Sequence, residues 1–274
     1  MIFDGQKRTK EILSQVRKDV SELPHPLVVR AIAVQASRAT DSYLKTKKLR
    51  ARDAGMELEV VRLGDTATTE EVLQALFEPG ADALLVQLPL PDFIDTKRVL
   101  DAIPLSKDAD VLSSEAHARF ESGVPGALLP PVVGAVKDIL EHAHISPKGK
   151  RVVVVGKGWL VGEPVAIWMK NVEAHVTVLT REEGDFSLLK EADIIVSGAG
   201  EAGIIKPEHL TAGVVLIDAG TSESGGSIVG DVDPACAEIA SVFTPVPGGV
   251  GPVAVACLFR NTAILAKQTG LQTP

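Results

Sequence analysis

The chain has 274 residues, of which 45% are hydrophobic and 23% are charged, and its formal net charge is -8. That length suits one large domain or two modest ones with a substantial core. The negative charge argues against a nucleic-acid partner, because such a partner calls for a basic surface. No signal peptide is expected, because the opening residues MIFDGQKRTK carry charge early and no apolar run follows them. The apolar stretches are strand-sized, so no membrane span is expected.

The two cysteines, Cys236 and Cys257, lie in apolar surroundings, outside any C-x-x-C pair and away from histidine clusters. Buried thiols are therefore expected, and a metal site is not. A disulfide framework is also not expected, which suits the reducing cytoplasm.

The first part of the chain predicts alternating helices and strands. Three helices are predicted, at 4–22, at 40–54 and from Thr68 or Thr69 onwards. Asp4 and either Thr40 or Asp41 are their expected caps, and Gly55 is a stop signal. Three strands are predicted at 27–34, 58–63 and 83–88. Because these strands are nearly continuous apolar runs, we expect a parallel sheet that is covered on both faces.

The second part predicts an irregular linker over 104–131, rich in proline and glycine, and then a second α/β alternation. Its helices are expected at about 133–144, 161–171 and 251–267, and its strands at 151–155, 175–179, 193–197 and 214–218. We therefore predict an α/β protein of two domains with a cleft between them. The substrate domain comprises 1–132 and the C-terminal helix 251–274, and a Rossmann-like dinucleotide-binding domain comprises 133–250.

A glycine-rich loop follows the strand RVVVV directly and opens the next helix. Gly156, Gly158 and Gly162 are spaced G-x-G-x-x-x-G, one residue longer than the common dinucleotide fingerprint. Glycines let the backbone approach a pyrophosphate, and the free N–H groups of a helix start favour an anion. The alternative is a glycine turn that serves only tight packing.

The end of the following strand helps to choose the cofactor. NAD-selective folds usually place an acidic residue there, but this segment reads V-L-T-R and ends at Arg181. Arg181 and Lys157 can both meet a 2'-phosphate, so NADP is predicted over NAD. The alternative is that Arg181 is a solvated surface residue, neutralised by Glu182 and Glu183.

Tyr43 and Lys47 are four residues apart on a predicted helix and therefore share one face. Such a pair can position a substrate and move protons, because the pKa of lysine falls readily on desolvation. The alternative is a tyrosine that packs on a solvated lysine stem. Short-chain dehydrogenases also use Y-x-x-x-K, but their glycine loop precedes the pair, so that family is excluded.

Two further segments point to a ligand site. V-Q-L-P-L-P (86–91) puts Gln87 at the C-terminal end of a strand, where open α/β sheets bind ligands. P-V-P-G-G-V-G-P (245–252) is a rigid turn whose backbone is expected to lie close to a ligand or to the other domain.

Together these segments resemble the bifunctional methylenetetrahydrofolate dehydrogenase/cyclohydrolase family, FolD, over essentially the whole chain. The two proline-rich segments are its most specific part. The resemblance also includes Asp4-Gly5, Lys107 to Asp110, Asp218 and Gly230-Asp231-Val232. It implies that NADP oxidises 5,10-methylenetetrahydrofolate to the methenyl cation, and that water opens this cation to 10-formyltetrahydrofolate. It further implies one-carbon metabolism that serves purine biosynthesis, a cytoplasmic homodimer, and neither a nucleic-acid nor a membrane partner.

The resemblance also implies residue roles. Lys47 would be the central group of the hydrolytic step, Tyr43 would stack on the folate, and Gln87 would hydrogen-bond the lysine. Asp110 would grip the amino-pyrimidine edge of the pterin. The other expected substrate contacts are Leu88, Pro89, Pro247, Gly248 and Gly249. The expected cofactor contacts are Gly156, Lys157, Gly158, Val161, Gly162, Arg181 and Thr221.

Four positions depart from the family pattern. Val111 replaces a glycine, His117 an asparagine and Gly158 a serine, and Pro130-Pro131-Val132-Val133 replaces proline-cysteine-threonine-proline. Three of these changes are on the folate side, so they bear on folate affinity and on hydrolysis. One interpretation is sequence drift that leaves both activities intact. The alternatives are a dehydrogenase with weak or lost hydrolysis, an enzyme for a modified folate, and a non-catalytic NADP-binding paralogue.

Overall fold

A computed structural model describes residues 1–35, 38–180, 184–224 and 227–270. The chain divides into two compact units. The glycine-loop unit comprises Met1–Thr9 and Val132–Ala254, and the lysine unit comprises Lys10–Pro131 and Val255–Pro274.

The helices and strands are numbered in chain order. The helices are α1 Gly5–Ser21, α2 Arg38–Asp53, α3 Thr69–Phe77, α4 Thr96–Asp101, α5 Ser114–Glu121, α6 Pro131–His142, α7 Gly162–Asn171 and α8 Val250–Gly270. The strands are β1 Val28–Val34, β2 Glu57–Leu63, β3 Ala83–Val86, β4 Arg151–Val155, β5 His175–Leu179, β6 Ile194–Ser197, β7 Val215–Asp218, β8 Ser222–Ser224, β9 Ser227–Val229 and β10 Val242–Phe243.

The lysine unit contains a three-stranded parallel sheet in the order β2-β1-β3. The central strand β1 is buried from Val29 to Val34, as its unbroken apolar run predicts. Thr68 caps α3 in a capping box with Glu71, which confirms the predicted helix start. The strand β3 stops at Val86, so the next residue, Gln87, emerges directly at its carboxyl end.

Two sequence expectations in this unit are wrong. The linker over 104–131 contains α5, because Ser113 caps that helix and Ala116 and Phe120 bury one face of it. The helix α2 begins at Arg38, so Thr40 and Asp41 lie within its first turn and do not cap it. Asp41 instead forms an ion pair with Arg62 at 2.7 Å.

The glycine-loop unit contains a five-stranded parallel sheet in the order β10-β7-β6-β4-β5. The chain passes from β4 to β5 on one side and then to β6 on the other side of β4. This reversal creates a switch point at the carboxyl ends of β4 and β6, where doubly wound sheets bind ligands. The predicted parallel Rossmann-like sheet is therefore confirmed.

The start of the chain belongs with the glycine-loop unit, although the predicted division placed it with the substrate domain. The amide of Phe3 donates to the carbonyl oxygen of Phe243 at 2.8 Å, and the amide of Phe243 donates to that of Met1 at 2.9 Å. Their partner strand β10 has only two residues. Such a short strand leaves no periodic signal in the sequence, which is why the pairing was missed.

Cys236 and Cys257 are buried, as predicted, and neither forms a disulfide. Burial raises the pKa of Cys236 to about 11, so its thiolate form is suppressed. Among the described residues, one helical stretch, Val250–Thr269, is long and apolar enough to cross a membrane. Its apolar window is 56% buried within the structure, so it equally fits the core helix of a globular protein.

Candidate functional site

Lys47 and Gln87 meet in the lysine unit, as the sequence predicts for two members of one site. The ammonium Nζ of Lys47, on α2, donates to Oε1 of Gln87 at 3.1 Å. The Gln87 amide nitrogen Nε2 donates to the carbonyl oxygen of Leu88 at 3.0 Å, which fixes the amide oxygen toward the lysine. Lys47 is half-buried, and this hydrogen bond holds its ammonium in one direction.

Asp110 lies in the electrostatic field of the same lysine. Burial raises the pKa of Asp110, the positive charge of Lys47 opposes that rise, and the carboxylate of Asp108 adds to it. We call Lys47, Gln87 and Asp110 the lysine cluster. It combines a proton-carrying amine, an amide that orients this amine, and a carboxylate that can accept two hydrogen bonds.

Tyr43 lies one turn before Lys47 on α2 and is 43% exposed. An exposed ring beside a proton-carrying lysine can stack on a flat ligand. Leu88 and Pro89, which follow Gln87, are joined by a cis peptide bond. Tyr43 and Lys47 thus lie on α2, and Gln87, Leu88 and Pro89 follow the end of β3.

Two residues that sequence reasoning missed hold the Asp110 turn. Asp108 is buried, and its carboxylate accepts the amides of Leu112 at 3.1 Å and Ser113 at 2.8 Å. Asn261, from α8, donates through Nδ2 to the carbonyl oxygen of Ala109 at 2.9 Å. The K-D-A-D motif hinted at Asp108, but Asn261 is far away in the sequence and carries no local signal.

In the glycine-loop unit, Gly156 has a φ of +98°, and a Cβ atom there would lie 2.7 Å from the carbonyl oxygen of Gly198. A Cβ atom on Gly162 would overlap the carbonyl oxygen of Gly156. Both glycines therefore serve tight packing. Gly158 differs, because its Cβ position faces open space. Its carbonyl oxygen accepts the amides of Val161 at 3.2 Å and Glu163 at 3.1 Å, and Lys157 beside it is exposed at the start of α7.

The loop after β6 packs against this glycine loop. A Cβ atom on Gly198 would overlap the side chain of Val161, which precedes α7. Thr221 is exposed, and its carbonyl oxygen is 3.8 Å from the Cβ position of Gly200. Gly156, Val161 and Gly162 thus lie together with the β6 loop at the switch point. Arg181, the other predicted phosphate contact, lies outside the described residues.

The proline- and glycine-rich turn before α8 lies in the same unit. Thr244 is buried, and its hydroxyl accepts the amide of Asp218 at 2.7 Å. The amide of Gly249 donates to the carbonyl oxygen of Pro245 at 2.7 Å, which closes the turn. Pro247 is exposed and Gly248 is half-buried with a φ of +109°, so both present backbone at the surface of the unit.

Two buried carboxylates, which the sequence did not single out as a pair, organise the loops at this sheet edge. Asp218 accepts the amides of Gly220, Asp231 and Val232 at 3.0 to 3.2 Å. Asp231 accepts the hydroxyl of Ser197 and the amide of Ala199, both at 2.7 Å, and so ties down the β6 loop.

We expect the Asp218 carboxyl to make the unfolding free energy depend on pH. Burial, which outweighs its three amide donors, raises the pKa of Asp218 from 3.8 to about 7. Because the pKa of Asp218 is higher in the folded state than in the unfolded state, the protonated carboxyl favours folding. Its contribution to the unfolding free energy is complete below about pH 4 and is lost as the pH rises to about 7. The change amounts to at most about 4 kcal/mol.

Calorimetric Tm values between about pH 5 and pH 8 test this prediction. The wild-type Tm should fall over that range more than the Tm of Asp218→Asn, which cannot ionise there. Asp218→Asn also loses one amide acceptor, which should lower its Tm by an amount that does not depend on pH. Parallel curves for the two proteins would show that Asp218 does not titrate in this window.

Comparisons with known proteins match one family along most of the chain. The sequence model of the tetrahydrofolate dehydrogenase/cyclohydrolase catalytic domain matches residues 3–110, and that of the NAD(P)-binding domain matches 130–270. The bifunctional protein FolD of Lacticaseibacillus casei is 37% identical over 276 residues, which cover 97% of each chain.

Two solved structures are also similar along their whole length. The bifunctional FolD methylenetetrahydrofolate dehydrogenase/cyclohydrolase of Campylobacter jejuni has a TM-score of 0.94 and 30% identity, covering 98% of this chain and 99% of that one. The Trypanosoma brucei enzyme, solved with NADP and an inhibitor, has a TM-score of 0.93 and 30% identity, covering 100% and 99%.

Proposed function

This chain belongs to the tetrahydrofolate dehydrogenase/cyclohydrolase family, and we propose that the lysine cluster is the centre of its folate chemistry. The protein is an NADP-dependent enzyme with two activities. It oxidises 5,10-methylenetetrahydrofolate to the methenyl form and hydrolyses that form to 10-formyltetrahydrofolate. The main support for placing the site here is the 3.1 Å hydrogen bond between Lys47 and Gln87.

In the proposed site, each side chain has one task. Asp110 accepts the paired N–H donors of the pterin, and Tyr43 stacks on the folate and orients it. Leu88 and Pro89 extend this contact from the end of β3. Lys47 moves the proton of the water that attacks the methenyl carbon. Gln87 holds the lysine amine and tunes its proton affinity.

A cationic methenyl substrate suits this arrangement. A second positive charge close by disfavours the ammonium form of Lys47, so the substrate itself promotes a neutral amine that can accept a proton. Lys47 in turn lowers the pKa of the Asp110 carboxyl, against the larger rise that burial causes. A neutral amine beside the methenyl carbon can act as the general base of the hydrolytic step.

The glycine loop and the β6 loop are the proposed NADP site. When bound, NADP supplies the hydride acceptor for the dehydrogenase step. The exposed loop at Gly158 and the start of α7 are the proposed contacts of the pyrophosphate, and Val161 and Thr221 complete the proposed site. Gly156 and Gly162 allow the close backbone packing that holds this loop in place. Lys157, together with Arg181, is proposed to hold the 2'-phosphate.

We expect Lys157→Gln to reduce selectivity for NADP. Lys157 is exposed, and its ammonium can pair with the 2'-phosphate that NAD lacks. The loss of one such charge-assisted bond should lower kcat/KM for NADP roughly tenfold. The value for NAD should stay within about twofold, because no partner charge is lost there.

Steady-state kinetics with each cofactor provide the measurement. Lys148→Gln is the matched control, because Lys148 is exposed in the same unit but pairs with Glu173 at 2.9 Å. Equal losses with NADP and NAD in Lys157→Gln would contradict a role in 2'-phosphate binding.

A coupled assay tests the function as a whole. Methylenetetrahydrofolate is supplied with NADP, and NADPH and the methenyl product are followed at separate wavelengths. NADPH should form and the methenyl signal should decay at an enzyme-dependent rate. Failure to produce NADPH above background would contradict the dehydrogenase and favour a non-catalytic paralogue.

One observation favours a second candidate, a dehydrogenase with weak hydrolysis. Val132 is half-buried at the start of α6 and cannot supply the hydroxyl that the family pattern has at this position. Accumulation of the methenyl product during the same assay would support this candidate. Rapid decay of that product would exclude it.

We further propose a cytoplasmic homodimer that supplies 10-formyltetrahydrofolate for purine biosynthesis. Support for the dimer comes from the edge strand β5, where His175, Thr177 and Val178 are exposed. Exposed edge strands in natural proteins are usually protected or paired. Sedimentation velocity gives the mass, and a monomer at micromolar concentration would contradict the dimer. Both cysteines are buried outside any disulfide, which suits a reducing compartment.

A further inference from the structure

Val111 adopts a backbone conformation that its side chain disfavours. Its φ is +59°, in the left-handed region, where a β-branched residue is a genuine outlier. Such strain persists only where the surroundings over-determine it, and it concentrates at functional sites. The residue directly before Val111 is Asp110, the carboxylate of the lysine cluster.

The side chain of Val111 is anchored. It is 2% exposed and lies in the wall of a cavity of about 450 Å³, together with Ala116, Leu128 and Leu265. Turning this side chain out into water would cost the free energy of its burial. The apolar contact therefore opposes relaxation of the backbone.

The turn is also tied on both sides of these two residues. Asn261 holds the carbonyl oxygen of Ala109, and Asp108 holds the amide of Leu112. Between these fixed points the chain contains Asp110 and Val111. The conformation at Val111 therefore determines where the carboxyl group of Asp110 points.

We infer that Val111 is a positioning residue for folate binding, whose buried side chain fixes the direction of the Asp110 carboxyl group. This inference rests on the proposed role of Asp110 in gripping the pterin. It assigns Val111 no contact with the substrate. Its effect on folate binding passes through the backbone of the turn.

Truncation of Val111 should weaken folate binding selectively. We expect Val111→Ala to raise KM for methylenetetrahydrofolate roughly tenfold, because displacing a binding group by about 1 Å can cost up to about 100-fold. KM for NADP and kcat of the dehydrogenase step should stay within about twofold. Val111→Ile keeps the branched anchor, and the cavity can accept one more methylene, so its KM should match wild type.

Val72→Ala is the matched control, because Val72 is fully buried in α3 of the same unit and loses the same two methyl groups. It should lower Tm without changing KM for the folate. The inference is overturned if Val111→Ala keeps the wild-type KM, or if Val72→Ala raises it equally. Asp110→Asn separates the two claims. If it leaves KM unchanged, the proposed role of Asp110 fails; if it raises KM while Val111→Ala does not, only the inference fails.

Discussion

Replacing Lys47 by methionine should reduce hydrolysis of methenyltetrahydrofolate by roughly 100- to 10,000-fold, the range typical of a lost general acid–base group. Methionine preserves much of the length of the side chain but cannot carry a proton. The change also removes a hydrogen bond, because in the wild type the Lys47 ammonium donates to Oε1 of Gln87 at 3.1 Å. During turnover with NADP, the methenyl product should therefore accumulate.

The measurement is the decay of added methenyltetrahydrofolate, corrected for its spontaneous rate. Lys48→Met is the matched control, because Lys48 is the next residue on α2 and is exposed. This control removes one positive charge from the same helix and should hydrolyse within about twofold of wild type. Hydrolysis by Lys47→Met at the wild-type rate would remove Lys47 from the mechanism.

Gln87→Glu tests whether Gln87 tunes the proton affinity of Lys47. A carboxylate 3.1 Å from Lys47 would stabilise the ammonium form and raise the pKa of the lysine. If Lys47 must be neutral to accept a proton, hydrolysis should then require a higher pH, while folate affinity changes little. An unchanged pH profile would indicate that Gln87 does not tune the lysine.

The second large effect is expected at the glycine loop. Gly162→Ala should lower the unfolding free energy by about 3 kcal/mol, because its Cβ atom would overlap the carbonyl oxygen of Gly156 and the two backbone segments must separate. The separation displaces the loop from the start of α7. We therefore expect the Kd for NADP to rise roughly 100-fold.

Gly158→Ala provides the matched control, because a Cβ atom there meets open space. It should leave Tm within about 1 °C of wild type, as expected for a substitution away from packed features. The two Kd values can be measured from the fluorescence of bound NADPH, and the two stabilities by calorimetry. A Gly162→Ala protein with wild-type Tm and Kd would mean that the loop does not need a glycine at this position.

The same pair of glycines illustrates what the sequence can and cannot specify. G-x-G-x-x-x-G between a buried strand and a helix predicts a phosphate loop, because few other functions demand glycines at that junction. The pattern assigns the three glycines equal roles. In the structure Gly156 and Gly162 are needed for packing and Gly158 is not, since only the neighbouring chain determines which Cβ positions are occupied.

The structure also gives a physical explanation for Val111, one of the departures from the family pattern. In the sequence, Val111 is a substitution that bears on folate affinity. In the structure it has a φ of +59° and a buried side chain, which explains why glycine suits the position and how valine can occupy it. Backbone conformation at a single residue has no periodic signal, so this property could not be read from the sequence.

The sequence by itself predicted the α/β class, most of the helices and strands, the glycine loop, and the side chains of Lys47 and Gln87 that the structure brings together. Each of these rests on local patterns: apolar runs, turn residues, and short motifs in a fixed order. The tertiary structure decided what depends on distant residues. It joined Lys47 to Gln87 across 40 positions and Asn261 to Ala109 across 152, and it paired Asp218 with the loop that carries Asp231. It also assigned the first nine residues to the glycine-loop unit. Such contacts are set by chain topology and by the hydrogen-bonding needs of buried groups, which no short stretch of sequence contains.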